Sequence, residues 1–179
     1  STAAESLYEL VLSLADDKIG QFYAAETGTA DGFSSCFLAR AIEDSDADSG
    51  HLWTIDFDNK RSTGEPRPWP KLWEEMGLGH LISGINGNAH QDQTWDPVAD
   101  KIDFGFIDDL HTAPGVFGSW NCLRKRLVPG SVVAFHDVDL FTDVRMAVDD
   151  IAEELKVPVE RLPSPRGLAF IRIPEGFTQ

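Results

Sequence analysis

QFYAAETGTADGFSS, residues 21–35, decides the fold. Its first six residues, QFYAAE at 21–26, form a short apolar run that predicts a strand, and the glycines at 28 and 32 predict a tight turn after it. SSCFLARAIE at 34–43 then has helical period, with Ser34 expected as its N-cap. Strand, glycine turn and helix make the first part of a βαβ unit, and HLWTID at 51–56 supplies the second strand.

The alternation continues in both directions. Upstream, Leu7, Leu10, Val11 and Leu14 recur at helical spacing. Downstream, RSTGEPRPWP at 61–70 breaks regular structure before an expected helix from Trp69 to Met76 and a third strand from His80 to Ile85. KIDFGFID at 101–108 reads as a fourth strand. Val116, Trp120, Leu123 and Leu127 mark a helix expected to stop before Pro129-Gly130, and SVVAFHD at 131–137 reads as a strand covered on both faces. Val144, Ala147, Val148, Ile151 and Leu155 mark the next helix. VPVERL at 157–162 and GLAFIRI at 167–173 are joined by the turn PSPR instead of a helix, so the last pair is expected to be antiparallel.

Composition narrows the function. The chain has 179 residues, 42% of them hydrophobic, which suits one packed core: a single domain over 1–179 with an N-terminal helix in 1–19 and a core in 20–173. No apolar run approaches the ~20 residues of a membrane helix, and the acidic, amphipathic start lacks a signal-peptide pattern, so the expected location is cytoplasmic with no membrane partner. A net charge of −15 repels phosphate backbones, which argues against nucleic acid; EDSDADS at 43–49 reads as solvated loop. Cys36 and Cys122 both fall on helical patterns and are expected as buried thiols.

In open α/β sheets, ligands sit beyond the carboxyl ends of the strands. Glu26 ends the first strand, where a buried carboxylate is costly unless a ligand cation or donor meets it; the plain alternative is that it caps backbone amides. Gly28 and Gly32 permit close backbone approach ahead of a helix N-terminus. Asp56 ends the second strand and can accept both hydroxyls of a ribose, against the reading of an ordinary loop carboxylate. In SGINGNAHQ at 83–91, the Asn88 amide suits an adenine edge.

Together these residues resemble the class I S-adenosylmethionine (SAM)-dependent methyltransferases, whose first motif, E/D-x-G-x-x-x-G, is met by Glu26, Gly28 and Gly32. The resemblance runs over residues 20–173, with Ala30 standing where many members have a glycine. It implies an α/β fold with a Rossmann-like seven-stranded, mostly parallel sheet, helices on both faces and an antiparallel C-terminal hairpin. It also implies SAM as cofactor. Glu26, Gly28, Thr29, Gly32 and Ser34 would lie toward its methionine moiety, Asp56 and Phe57 toward the ribose, Asn88 and Ala89 beside adenine, and Asp108 close by. EtGTadGfS, fIDDlH and VPGsvVafHDV are similar, more narrowly, to bacterial small-molecule O-methyltransferases related to macrolide-sugar and catechol enzymes, although Asp109 stands where glycine is frequent.

Methyl transfer to oxygen needs a positioned base or a cation that acidifies the acceptor hydroxyl. The ends of the fourth and fifth strands bring Asp108, His136 and Asp137 together. By resemblance to metal-dependent members, Asp108 and Asp137 are oxygen ligands and His136 a third ligand or a base, with Mg²⁺ or Mn²⁺ as the ion. His111 is the alternative base, so the catalytic candidates are Asp108, His111 and His136; the plain reading of either histidine is a hydrogen bond to backbone. Asp109 is read as a ligand or as the cap of the following helix, and Trp69, Trp73 and Trp95 as core packing in preference to pocket walls. The expected partner is a small-molecule acceptor, enclosed by the 58–70 loop or by a second subunit in a homodimer. Two rivals stay open: a nicotinamide-dependent oxidoreductase, disfavoured because 26–32 lacks G-x-G-x-x-G, and a non-catalytic SAM-binding module.

Overall fold

The computed structural model describes residues 2–58, 60 and 62–179. Helix α1 (Ala3–Asp16) leads into β1 (Gln21–Thr27), α2 (Phe33–Asp44), β2 (Ser49–Asp56), α3 (Lys71–Glu75) and β3 (Ile82–Asn86). After a 3₁₀ turn at Asp92–Trp95 come β4 (Ile102–Ile107), α4 (Ala113–Leu123), β5 (Leu127–His136), α5 (Thr142–Leu155), β6 (Glu160–Leu162) and β7 (Leu168–Arg172). The strands form one sheet in the order β3-β2-β1-β4-β5-β7-β6, parallel except for β7, which runs antiparallel to both β5 and β6. The expected α/β architecture and its reversed final hairpin are borne out.

Alternation along each strand divides the apolar core between two faces. Phe22, Ala24, Phe104, Phe106, Val132 and Ala134 point toward α1, α2 and Trp73 of α3. Ala25, Ile55, Val133 and Phe135 point toward Val116 and Trp120 of α4 and toward Val144, Val148 and Ile151 of α5. Trp95 is fully buried in this second layer and Trp73 in the first, as packing residues; Trp69 stacks on Trp73 with ring centroids 5.1 Å apart. Both cysteines are buried and free, and the acidic loop is largely exposed. No helix is long and apolar enough to cross a membrane among the described residues.

Several boundaries differ from the sequence expectation. Strand β5 begins at Leu127, not at 131, so Leu127 belongs to the sheet and α4 stops at Leu123 in a short 3₁₀ turn. Pro129-Gly130 does not end the segment, because the β4–β5 register shifts between Ile102 and Phe104 and that irregularity accommodates the pair. Strand β6 starts only at Glu160, since Lys156 takes a left-handed conformation and the Val157 amide turns back to the Ala152 carbonyl at 3.0 Å. Ser34 does not cap α2: Gly32 is the N-cap, with φ +82°, and Ser34 sits in the first turn with its hydroxyl directed at Glu26.

Glu26 has no exposed surface. Ser34 donates to its Oε1, while Ser35 and Thr54 donate to Oε2 at 2.5 Å and 2.7 Å. Thr54 lies 2.6 Å from the Thr29 hydroxyl, so a chain of hydroxyls ties β1, β2, the turn and the start of α2 to one carboxylate. Burial raises the Glu26 pKa from 4.5 to about 7, against the pull of the three hydroxyl donors and with the help of the Asp108 charge. Beyond it, Gly28 has φ +89°, and a Cβ there would stand 2.0 Å from the Asp108 carbonyl oxygen. The turn after β1 is thus pressed onto the end of β4.

Two outcomes are expected. Gly28→Ala combines left-handed strain with a backbone clash and should lower unfolding stability by about 2–4 kcal/mol in urea titrations. For Glu26, a folded pKa above the unfolded one means that the native state binds the extra proton, so its stabilising effect is complete below about pH 4.5 and lost as pH rises through about 7. Wild-type stability should therefore fall relative to Glu26→Gln between those limits by up to about 3 kcal/mol, and parallel pH profiles for the two proteins would refute this.

Candidate active site

A cleft of about 590 Å³ opens across the carboxyl ends of β1, β2, β4 and β5, within the usual size range of small-molecule sites. Of the residues singled out from sequence, Gly28, Asp56, Phe57, Asn88 and Ala89 line it, as do Asp108, His111, His136 and Asp137. Glu26, Thr29, Gly32 and Ser34 lie outside that lining. The first two are buried beneath the turn, and the Gly32 carbonyl accepts from the Trp73 indole at 3.2 Å.

Asp56 is held ready at the end of β2. Its Oδ2 accepts from the Ala30 amide at 2.7 Å and its Oδ1 from the Asp58 amide at 3.1 Å, which leaves lone pairs on both oxygens for a ligand. Asn88 uses its side-chain oxygen on the His90 amide at 2.9 Å, while Phe57 stands at the rim, 76% exposed. Asp109 neither caps α4 nor faces the other acids. Thr112 is the cap, accepting from the Gly115 amide at 3.2 Å, and Asp109 instead accepts from Ser119 with the His90 Nε2 3.3 Å away.

A second group of acids and histidines is built on β4 and β5. Asp137 is buried at the end of β5, in the left-handed region at φ +62°. The His111 Nε2 lies 2.7 Å from its Oδ2 and 3.8 Å from the Asp108 Oδ1, and the imidazole stacks on Phe141 at 4.5 Å. The His136 Nδ1 sits 3.3 Å from the Asp108 Oδ1 and 3.2 Å from the Asp137 Oδ1. Burial opposes charge on His136, but the hydrogen bond and fields of the two carboxylates outweigh it and raise its pKa above the ordinary histidine value. Asp108, His111 and Asp137 each offer a ligand atom within 4.8 Å of the others, a donor set that suits Mn²⁺ or a similar ion; the group takes His111 where the sequence suggested His136.

Sequence reasoning missed Arg67, His90 and Arg166, all on the cleft. Arg67 sits in a segment without a motif, and His90 lies two residues past Asn88 in SGINGNAHQ, where only the amide was read as a ligand group. Arg166 had a usable signal: an antiparallel final strand brings the PSPR turn back to the carboxyl edge of the sheet.

No curated protein matches this sequence. Among solved structures, the O-methyltransferase TomG from Streptomyces achromogenes, involved in tomaymycin synthesis and solved with SAM, superposes with a TM-score of 0.71 over 96% of this chain and 79% of its own, at 21% identity. An O-methyltransferase from Bacillus cereus in complex with S-adenosylhomocysteine (SAH) gives a TM-score of 0.69 over 94% and 80% of the two chains, at 19% identity. At such identities the likeness establishes the fold. A sequence-family model described as a methyltransferase domain matches residues 25–138, a span that contains every strand end opening onto the cleft. With that match running over more than half of its length, the chain belongs to the methyltransferase domain family.

Proposed function

We propose that the protein is a SAM-dependent methyltransferase of one catalytic domain that transfers a methyl group to a hydroxyl oxygen of a small-molecule acceptor. The observation that carries this reading is the acid-lined cleft of a methyltransferase-domain chain: Asp56, Asp108 and Asp137 line it with two arginines, a field suited to a sulfonium and an ammonium group. When bound, SAM supplies an electrophilic methyl group. Asp56 holds the ribose hydroxyls, Asn88 and Ala89 flank the adenine, and the Gly28 turn admits the methionine end. Glu26 acts from beneath through Thr54 and Thr29, fixing the turn instead of touching the cofactor.

His111 serves as the base. Its Nε2 lies 2.7 Å from the Asp137 carboxylate, which stabilises the imidazolium formed when the ring takes the acceptor proton. Asp108, His111 and Asp137 are also the residues that would hold a divalent cation, and such an ion lowers the pKa of a hydroxyl that it binds. The aromatic and apolar rim, Phe57 and Leu110, suits an acceptor with a hydrophobic face. Closure by the 58–70 loop falls partly on residues 59 and 61, outside the described residues.

Calorimetry with SAH is expected to show one binding site, with NAD giving no heat; the reverse pattern would overturn the assignment. Asp56→Asn removes charge-assisted acceptance and should weaken SAH by about 1.5–3 kcal/mol. His111→Gln should keep SAH affinity while lowering turnover of a hydroxyl acceptor by about 10²–10⁴-fold; unchanged turnover would remove His111 from the chemistry.

A further inference from the structure

Asp137 is the most constrained group in the cleft. Its left-handed backbone is locked because its carbonyl accepts from the Leu140 and Phe141 amides at 3.1 Å and 3.0 Å, so the carboxylate keeps one direction. Arg166 faces both of its oxygens: Nε lies 2.7 Å from Oδ1, and Nη2 donates to Oδ2 at 3.0 Å. The Oδ2 contact is a hydrogen bond and the Oδ1 contact an ion pair without hydrogen-bond alignment, so the guanidinium sets its charge against both oxygens.

The pairing is built in. The Arg166 carbonyl accepts from the Asp139 amide at 3.1 Å, and a Cβ on Gly167, at φ +86°, would fall 2.5 Å from that same amide nitrogen. The turn before β7 therefore lies directly on the segment after β5 and delivers Arg166 to Asp137. The same carboxylate belongs to the trio with Asp108 and His111 whose donor atoms converge. A carboxylate already matched by a guanidinium presents like-charge repulsion to a second cation. The Asp137 side chain is 2% exposed and cannot turn away, whereas Arg166 is 52% exposed and can.

We propose that Arg166 is the resident counter-charge of this site and competes with any divalent cation for Asp137, so that a cation binds only as the guanidinium withdraws. Arg166 thereby sets the cation affinity of the cleft, whichever cofactor the rest of it takes.

The test is Mn²⁺ titration of the full chain, read by the electron paramagnetic resonance of free Mn²⁺, with folding checked by circular dichroism. Arg166→Gln should bind Mn²⁺ at least about tenfold tighter than wild type, Arg166→Lys should tighten it less because the charge is kept, and Asp137→Asn should lose binding. A folded Arg166→Gln that binds no tighter than wild type, or not at all, overturns the proposal. Should Arg166→Gln fail to fold, Mg²⁺ titration of the wild type decides by NMR. The Arg166 Nε–H resonance should move toward that of a solvated arginine in step with Mg²⁺ binding. Binding that leaves the resonance in place, or no Mg²⁺ binding at all, overturns the proposal. SAH calorimetry reports on the nucleoside assignment separately, so the two can fail independently.

Discussion

A carboxylate shut away from water, held by hydroxyls from three directions, fixes the geometry of everything above it. Glu26 joins the end of β1 to the first turn of α2 through Ser34 and Ser35 and to β2 through Thr54. An isolated buried charge there would be prohibitive, so the hydroxyls and the upward pKa shift are how the group is tolerated. The Gly28 turn rides on this clamp and meets the end of β4 through backbone alone. The loop after β1 and the loop after β4 are consequently set with respect to one another before any ligand arrives, which is preorganisation in its simplest form.

Charge is distributed unevenly along the cleft. At the β2 side, Asp56 accepts from two backbone amides and lines the ligand space. At the β5 side, Asp137 is surrounded by Arg166, His111 and His136. The first arrangement suits neutral hydroxyls that donate hydrogen bonds. The second suits a place where a proton changes hands, because positive charge appearing on an imidazole is met by a carboxylate whose position cannot drift.

Much of this was legible in the residues themselves. The apolar runs at 101–108 and 131–137 and helical spacing in Val144, Val148 and Ile151 gave element types and order, and the missing helix between the last two strands gave the antiparallel end. Pro129-Gly130 misled because local turn propensity cannot report a shift in register, which is decided by the neighbouring strand. Glu26 was recognised as anomalous, but its partners Ser35 and Thr54 are ordinary in sequence and become a cage only through the packing of α2 on β1 and β2. His111 could be nominated from its spacing to Asp108, whereas its close approach to Asp137, on another strand end, is a tertiary fact.

The reversed direction of β7 has a geometric effect on the catalytic face. In a wholly parallel sheet the segment entering a strand lies on the edge opposite the ligand, and residue 166 would have been out of reach. Reversal turns the entrance of β7 into a further wall of the cleft, encoded 29 residues after Asp137. Under the proposed function, substitutions in that turn reshape the end of the cleft around Asp137 while leaving the end around Asp56 untouched, giving the scaffold a place to vary one end independently of the other.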